Sequence, residues 1–441
     1  MTLSKISFHD LSRSGVTPPA LFERTRVDVG AFFERVRPII EAVRTGGDTA
    51  LLRFGETLDG VTAASWSLRA SDAEFASARG MLSEELIADL EFAAHNIRSF
   101  HEAQKPEEMW MKEIRPGVWA GDRHLPIESV ACYVPRGKGS FPSVLLMTAI
   151  PAVVAGVPRP IIITPPGPDG TVDAATLVAA EIAGIREVYK CGGAQGIAAV
   201  AYGTETIPKC LKVVGPGSPW VVAAKRLLSD VIDPGVPAGP SESIILADET
   251  ANGELAALDL LIEAEHGPDS SAYLVTNSRI VAEAALDALP MFLKEMSEQR
   301  VSFAESVLGG TAGGIVLTKD FQQAIDFANQ YAPEHLEVLA RDPWDIVGKL
   351  RNAGEILLGR YTPITLGNFV IGVNAVLPTA RHSRTASPLS VFDYMKRMSI
   401  ASVTKQGYDA LAPHAYRLAK YEGFDAHARA VSSVRQKFLK D

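Results

Sequence analysis

Residues 260–271, LLIEAEHGPDSS, set two glutamates and a histidine at the end of an apolar run that stops at Gly267-Pro268. On a helix, Glu263 and His266 stand three residues apart and share a face, so their side chains can meet at one point. Carboxylate oxygen and imidazole nitrogen are good ligands for zinc or a similar divalent ion. Glu265 falls on another face. The plain alternative is a helix C-terminus whose histidine answers the macrodipole while its glutamates face water. A second pair, Glu334-His335 in YAPEHLEVLA, follows Pro333 between a helix and an apolar strand-like run. Acid/base groups at such a junction can point into a cleft, and a solvated turn is the competing reading.

Two Gly-rich junctions, CGGAQGIAA and VVGPGSPWVVAAK, each follow a strand-like run and open a helix. Backbone amides there can approach a phosphate, and a tight strand-to-helix turn explains them equally well. Neither contains GxGxxG, so the usual dinucleotide fingerprint is absent. NFVIGVNAVLPT and YEGFDAHARA add Asn368, Asn374, Glu422 and His427, each weak alone. Glu422 and His427 are five apart, so an ideal helix does not aim both at one point. RHSR, with Arg381, His382 and Arg384, offers charge for an anionic group or simply a solvated loop.

The elements that must position these groups follow from periodicity. The first ~125 residues carry apolar residues three and four apart and read as helix, with Gly46-Gly47 closing the first one. From Glu128 onward, short β-branched runs such as SVACYVP and PIIITPP alternate with Ala-rich helices such as AATLVAAEIAG. That alternation marks a parallel sheet covered on both faces. It restarts after the Pro/Gly-rich residues 234–240, the best boundary between two α/β units. The last forty residues read as a polar helical tail that packs on something else. The expected class is therefore α/β. Its segments are a helical region at 1–125, α/β units at 126–236 and 237–380, and a helical C-terminal region at 381–441.

Size and composition narrow the function. A chain of 441 residues suits two or three domains. A net charge of −9 argues against a nucleic-acid surface, which relies on a basic field. Three cysteines without CxxC spacing suit a reducing cytoplasm. The start MTLSKISFHDLSRSG has no apolar core, so it does not read as a signal peptide. The apolar run at 144–157 contains Pro151 and Gly156, is too short to span a bilayer, and reads as a buried helix.

Taken together, YVPRGKGSFPSVLLM, GGAQGIAAVAYG, VVGPGS, PAGPSE, AEHGPDS, APEHLE, NAVLPT and DAHARAV resemble the histidinol dehydrogenases, in matching order over nearly the whole chain. The resemblance implies a zinc-containing homodimer with two incomplete Rossmann-like domains and helical extensions. Its C-terminal part would reach the neighbouring subunit's active site. It also implies oxidation of an alcohol through an enzyme-held aldehyde in two NAD-dependent steps. Carried over by position, it places zinc ligands at Glu263, His266, Asn368 and His427 and the acid/base pair at Glu334 and His335. Substrate contacts fall at Ser143, Ser241 and Glu422, and NAD contacts at Tyr133, Gln195 and Ser218.

Four positions depart from the family pattern. Glu263 stands for glutamine and Asn368 for aspartate, a reciprocal exchange that keeps the formal charge, and all four residue types offer an oxygen ligand. Ala375 replaces a substrate-contacting histidine, and Ser218 an asparagine. Losing the imidazole removes a hydrogen-bonding group and volume from the substrate pocket. The chain is thus expected to oxidise histidinol, or as a paralog another small polar alcohol such as a sulfonated diol. Arg381, His382 or Arg384 would then meet the anionic head. A binding protein without catalysis is the third possibility.

Overall fold

The computed structural model of the chain describes residues 6–13, 16–24, 29–136 and 139–439; Gly137 and Lys138 of the YVPRGKGS motif lie outside them. Two compact units emerge: residues 1–104 with 127–394, and residues 105–126 with 395–441.

The larger unit holds two parallel sheets, an α/β architecture. The first has four strands, in the order Val188–Lys190, Arg159–Thr164, Ser129–Tyr133, Lys212–Val214. Every pair is parallel, with Cys132 opposite both Ile162 and Val214. These strands are continuous apolar runs because helices cover both faces. Helix Pro142–Ala155, the apolar run of the sequence, is buried along most of its length and stops at Gly156, whose φ of 84° suits glycine. The N-terminal helix Gly30–Thr57 packs its Val36, Ile40, Val43 and Leu51 into the same core. Gly47, at φ 49° and ψ −132°, is not helical and divides this span into two helices, as the Gly46-Gly47 pair suggests; the Glu205 carboxylate lies where a Cβ would sit.

The second sheet has six parallel strands, in the order Phe8–Asp10, Gly313–Leu317, Ser271–Thr276, Glu242–Ala247, His335–Leu339, Glu355–Leu358. Phe8–Asp10 joins its edge from the stretch read as helical, pairing Phe8 with Ile315. Three residues are too few to show a period. Helix Gly253–Ala264 is capped by Asn252, whose side chain accepts from the amides of Glu254 and Leu255. Its buried face includes Ala256, Ala257, Leu260 and Leu261, and also Asp259 and Glu263.

The smaller unit contains an antiparallel sheet of Met395–Val403, Val118–Pro126 and Met109–Arg115. It is followed by helices Lys405–Tyr421, Asp425–Ala430 and Ser433–Gln436. All three strands fall in stretches read as helical. Seven of the nine residues of Met395–Val403 are exposed, so no buried alternation marks the strand in sequence. No helix among the described residues is long and apolar enough to cross a membrane.

Candidate functional site

Helix Gly253–Ala264 lies between strands Glu242–Ala247 and Ser271–Thr276, so its C-terminus returns to the end of the sheet where those strands begin. Glu263 and His266 arrive there, and Ser241, Glu334, His335 and Glu355 stand at the amino ends of three adjacent strands. Glu263 does not face water. It is 1% exposed. The Asn368 amide donates to its Oε1 at 3.0 Å, and His266 Nδ1 lies 3.1 Å from its Oε2. Ser241 adds a side-chain hydrogen bond. Burial works against the Glu263 charge, but His266, His335, Asn368 and Ser241 outweigh it and hold its pKa below the ordinary value.

His335 is 3% exposed, and its two ring nitrogens have different surroundings. Nε2 lies 3.8 Å from Glu263 Oε1 and 3.9 Å from Glu334 Oε1. Nδ1 lies 2.6 Å from Glu355 Oε1. Burial disfavours the imidazolium, but the carboxylates of Glu263, Glu334 and Glu355 prevail and push its pKa up to about 10. Glu334 moves the opposite way from most carboxylates. Burial, reinforced by the nearby charges of Glu263 and Glu242, raises its pKa well above 4.5 despite the pull of His335 and a 2.9 Å bond from the Glu242 amide. Both neighbours are thus pushed toward holding a proton, His335 by the carboxylates around it and Glu334 by burial, and strongly perturbed neighbours of this kind mark acid/base sites.

Beneath them lies a second carboxyl pair. Asp259, one turn before Glu263, hydrogen-bonds Glu337, two residues past His335 on the same strand face. Both pKa values are raised, chiefly by burial. The remaining wall is structural. Arg24 pairs with Glu242 through Nε and, at 3.0 Å, through Nη2, and stacks on Tyr331. Asn374 bonds Met147 O, His101 Nε2 and the Val376 amide, so it is committed to holding its loop.

The four-stranded half presents different groups. Tyr133 ends its strand, and its hydroxyl accepts from the Gly193 amide at 3.3 Å. Gln195 is buried and donates to Asp59 at 3.1 Å. Ser218 precedes helix Pro219–Leu227, and Ser143 lies in the first turn of helix Pro142–Ala155. Buried Lys225 ties down the Gly-rich turn by donating to Gly215 O at 2.8 Å. Helix Gly193–Tyr202 begins without a side-chain cap from Gly192, and the Tyr133 hydroxyl takes its first amide.

Glu263, His266, Asn368, Ser241, Glu334 and His335 are thus brought together. Tyr133, Gln195, Ser218 and Ser143 belong to the other α/β half. Glu422 and His427 belong to the smaller unit, where both are exposed. Arg381 and Arg384 donate to the carbonyl of Gln330 at 3.3 and 2.7 Å. Among the described residues no three His, Cys, Asp or Glu are grouped as a metal site. Asn368 contributes an amide beside Glu263, and His427 lies in the smaller unit. The donor set still suits a cation. A buried carboxylate needs a countercharge, Asn368 Oδ1 is the acceptor left when its amide donates to Glu263, and His266 brings an imidazole to within 3.1 Å of the same carboxylate.

Sequence reading missed Glu355, Asp259, Glu337 and the Arg24–Glu242 pair. Lone carboxylates inside apolar runs, as in HLEVL and LDLLIEA, are the signal that marks two of them.

Comparison with known proteins agrees on one family. The histidinol dehydrogenase family model matches residues 22–435. A histidinol dehydrogenase homolog of Colwellia psychrerythraea is 59% identical over 99% of this chain and 98% of its own. A histidinol dehydrogenase of Synechocystis is 48% identical over 96% and 98%. The crystal structure of histidinol dehydrogenase from Elizabethkingia anophelis superposes with a TM-score of 0.93 at 32% identity, covering 99% of each chain. By sequence and by fold, this chain belongs to the histidinol dehydrogenase family.

Proposed function

We propose that the chain is a zinc-dependent, NAD-linked dehydrogenase that oxidises a primary alcohol to a carboxylate through an aldehyde kept on the enzyme. The observation that carries this reading is the buried contact of His335 Nε2 with both Glu263 and Glu334, at 3.8 and 3.9 Å. Glu263, His266 and Asn368 would hold the cation. When bound, it would anchor the alcohol oxygen and offset the Glu263 charge that keeps His335 protonated. Tyr133, Gln195 and Ser218 would line the NAD site, and NAD would serve as hydride acceptor.

The chain's own residues then divide the proton work. His335 Nε2 takes the hydroxyl proton. Glu334 in its carboxylate form, made more basic by burial, takes a proton from the water that adds to the aldehyde. Ser241 and Ser143 would orient the substrate, and the closed surroundings of His335 keep bulk water from the aldehyde. Glu422 and His427 would serve the site of a partner subunit. Exposed Tyr421, Phe424, Phe438 and Leu439 beside them give the smaller unit an apolar surface that a second copy would cover in a homodimer. Three free, buried cysteines favour a reducing, cytoplasmic location.

The alcohol is either histidinol or another small polar alcohol such as a sulfonated diol. The relatives bear on this. Identity is 59% to a protein named a homolog and 48% to one named histidinol dehydrogenase. Ala375 points the same way, away from the imidazole-bearing pocket of the family. The test is NADH formation by zinc-loaded protein with histidinol, dihydroxypropanesulfonate and a plain alcohol. Turnover of one of them supports the reading. A zinc-loaded, folded protein that reduces NAD with none of them defeats it.

A further inference from the structure

The partner of His335 on the side away from Glu263 carries a consequence for catalysis. Glu355 opens its strand directly opposite His335 in the parallel ladder, and its side chain is 7% exposed. A buried carboxylate is costly unless its oxygens are used. Glu355 Oε1 accepts from His335 Nδ1 at 2.6 Å, whereas Oε2 has no hydrogen-bond partner among the described residues. The carboxylate therefore does little to hold the fold together, and its polar contact is with the imidazole. A carboxylate can only accept, so Nδ1 must carry the hydrogen, and in the neutral ring Nε2 is then the basic nitrogen. The backbone has made room for this pair. A Cβ at Gly367 would stand 3.0 and 3.1 Å from the two Glu355 oxygens.

We propose that Glu355 is the positioning residue that fixes His335 in the Nδ1–H tautomer, with Nε2 turned toward Glu263, Glu334 and the reacting alcohol. The proposal rests on His335 being the proton acceptor, and its test separates the two ideas. E355L, E355Q, G367A and H335N are compared as zinc-loaded protein, with kcat and KM measured for the alcohol that the parent oxidises. If the fixed tautomer matters, E355L lowers kcat on the order of 10²-fold with KM within about twofold, the scale of a lost acid/base orientation. E355Q keeps an acceptor for Nδ1 and recovers at least about tenfold of that loss. G367A, which crowds the carboxylate without removing it, lies between them.

A second readout does not need turnover. The parent and E355Q show a slowly exchanging, low-field imidazole proton that is missing from H335N, and E355L lacks it. Parental kcat in E355L overturns the proposal, as does a low-field proton that survives in E355L. If E355L does not fold, failure of E355Q to hold that proton overturns it as well. Parental activity in H335N instead defeats the assignment of His335 itself.

Discussion

In the four-stranded half, Tyr133, Gln195 and Ser218 lie at or just past the carboxyl ends of the strands; in the six-stranded half, Ser241, His335 and Glu355 lie at the amino ends. The first arrangement follows the usual rule for open α/β sheets, in which ligands sit beyond the carboxyl ends. There the incoming helices present their N-termini, with amide donors and the positive end of the macrodipole. The second arrangement reverses it. Helix Gly253–Ala264 presents its C-terminus together with buried Glu263, and cations are favoured at that end. One architecture used from opposite ends thus makes one half suited to phosphate and the other to a metal ion.

Three changes break that contrast in different places. The largest effect is expected from H335N, which removes the ionisable ring but leaves Glu263, His266 and Asn368. Steady-state rates should fall on the order of 10²–10⁴-fold, while metal analysis finds the parental zinc content. Next is G193A in the other half. Gly193 has φ 56°, and a Cβ there would lie 2.7 Å from Gln195 Oε1. NAD affinity measured by fluorescence titration should weaken about tenfold, or ~1.4 kcal/mol, again with zinc uptake intact. Loss of zinc in G193A would show that the two halves are not independent.

The smallest effect concerns the pair beneath the site. Glu337 keeps its proton in the fold at pH values where the unfolded chain has lost it, because burial and Asp259 raise its pKa above 4.5. More protons bound in the folded state means that stability falls as pH rises from the ordinary carboxylate range upward. E337Q retains a donor for Asp259 and removes that dependence. Its Tm should exceed the parent's by about one degree at about pH 8, corresponding to ~1 kcal/mol, and by less at about pH 5. A gap that widens toward acid would contradict the assignment.

How much of this was legible in sequence depends on how local each signal is. Helical spacing was enough to set Glu263 and His266 on one face, because periodicity is a property of a single element. The alternation of apolar runs and Ala-rich helices pointed to parallel sheets for the same reason. That Glu263 is buried, and that Asn368 meets it from 105 residues away, depends on tertiary packing that no local pattern encodes. Glu355 is a clearer instance. It reaches His335 only because their strands pair in register. Strand Met395–Val403 was unreadable because its side chains are nearly all exposed, whereas the helix break at Gly47 was readable from Gly46-Gly47 alone.

The central claim is that the amino-end cluster of the six-stranded sheet takes up a divalent cation beside His335. Metal uptake by the purified protein after chelation and dialysis against zinc measures it directly, with E263L as the control. The account predicts stoichiometric zinc in the parent and none above background in folded E263L. A parent that takes up no zinc, or an E263L that binds it as well as the parent, would contradict it.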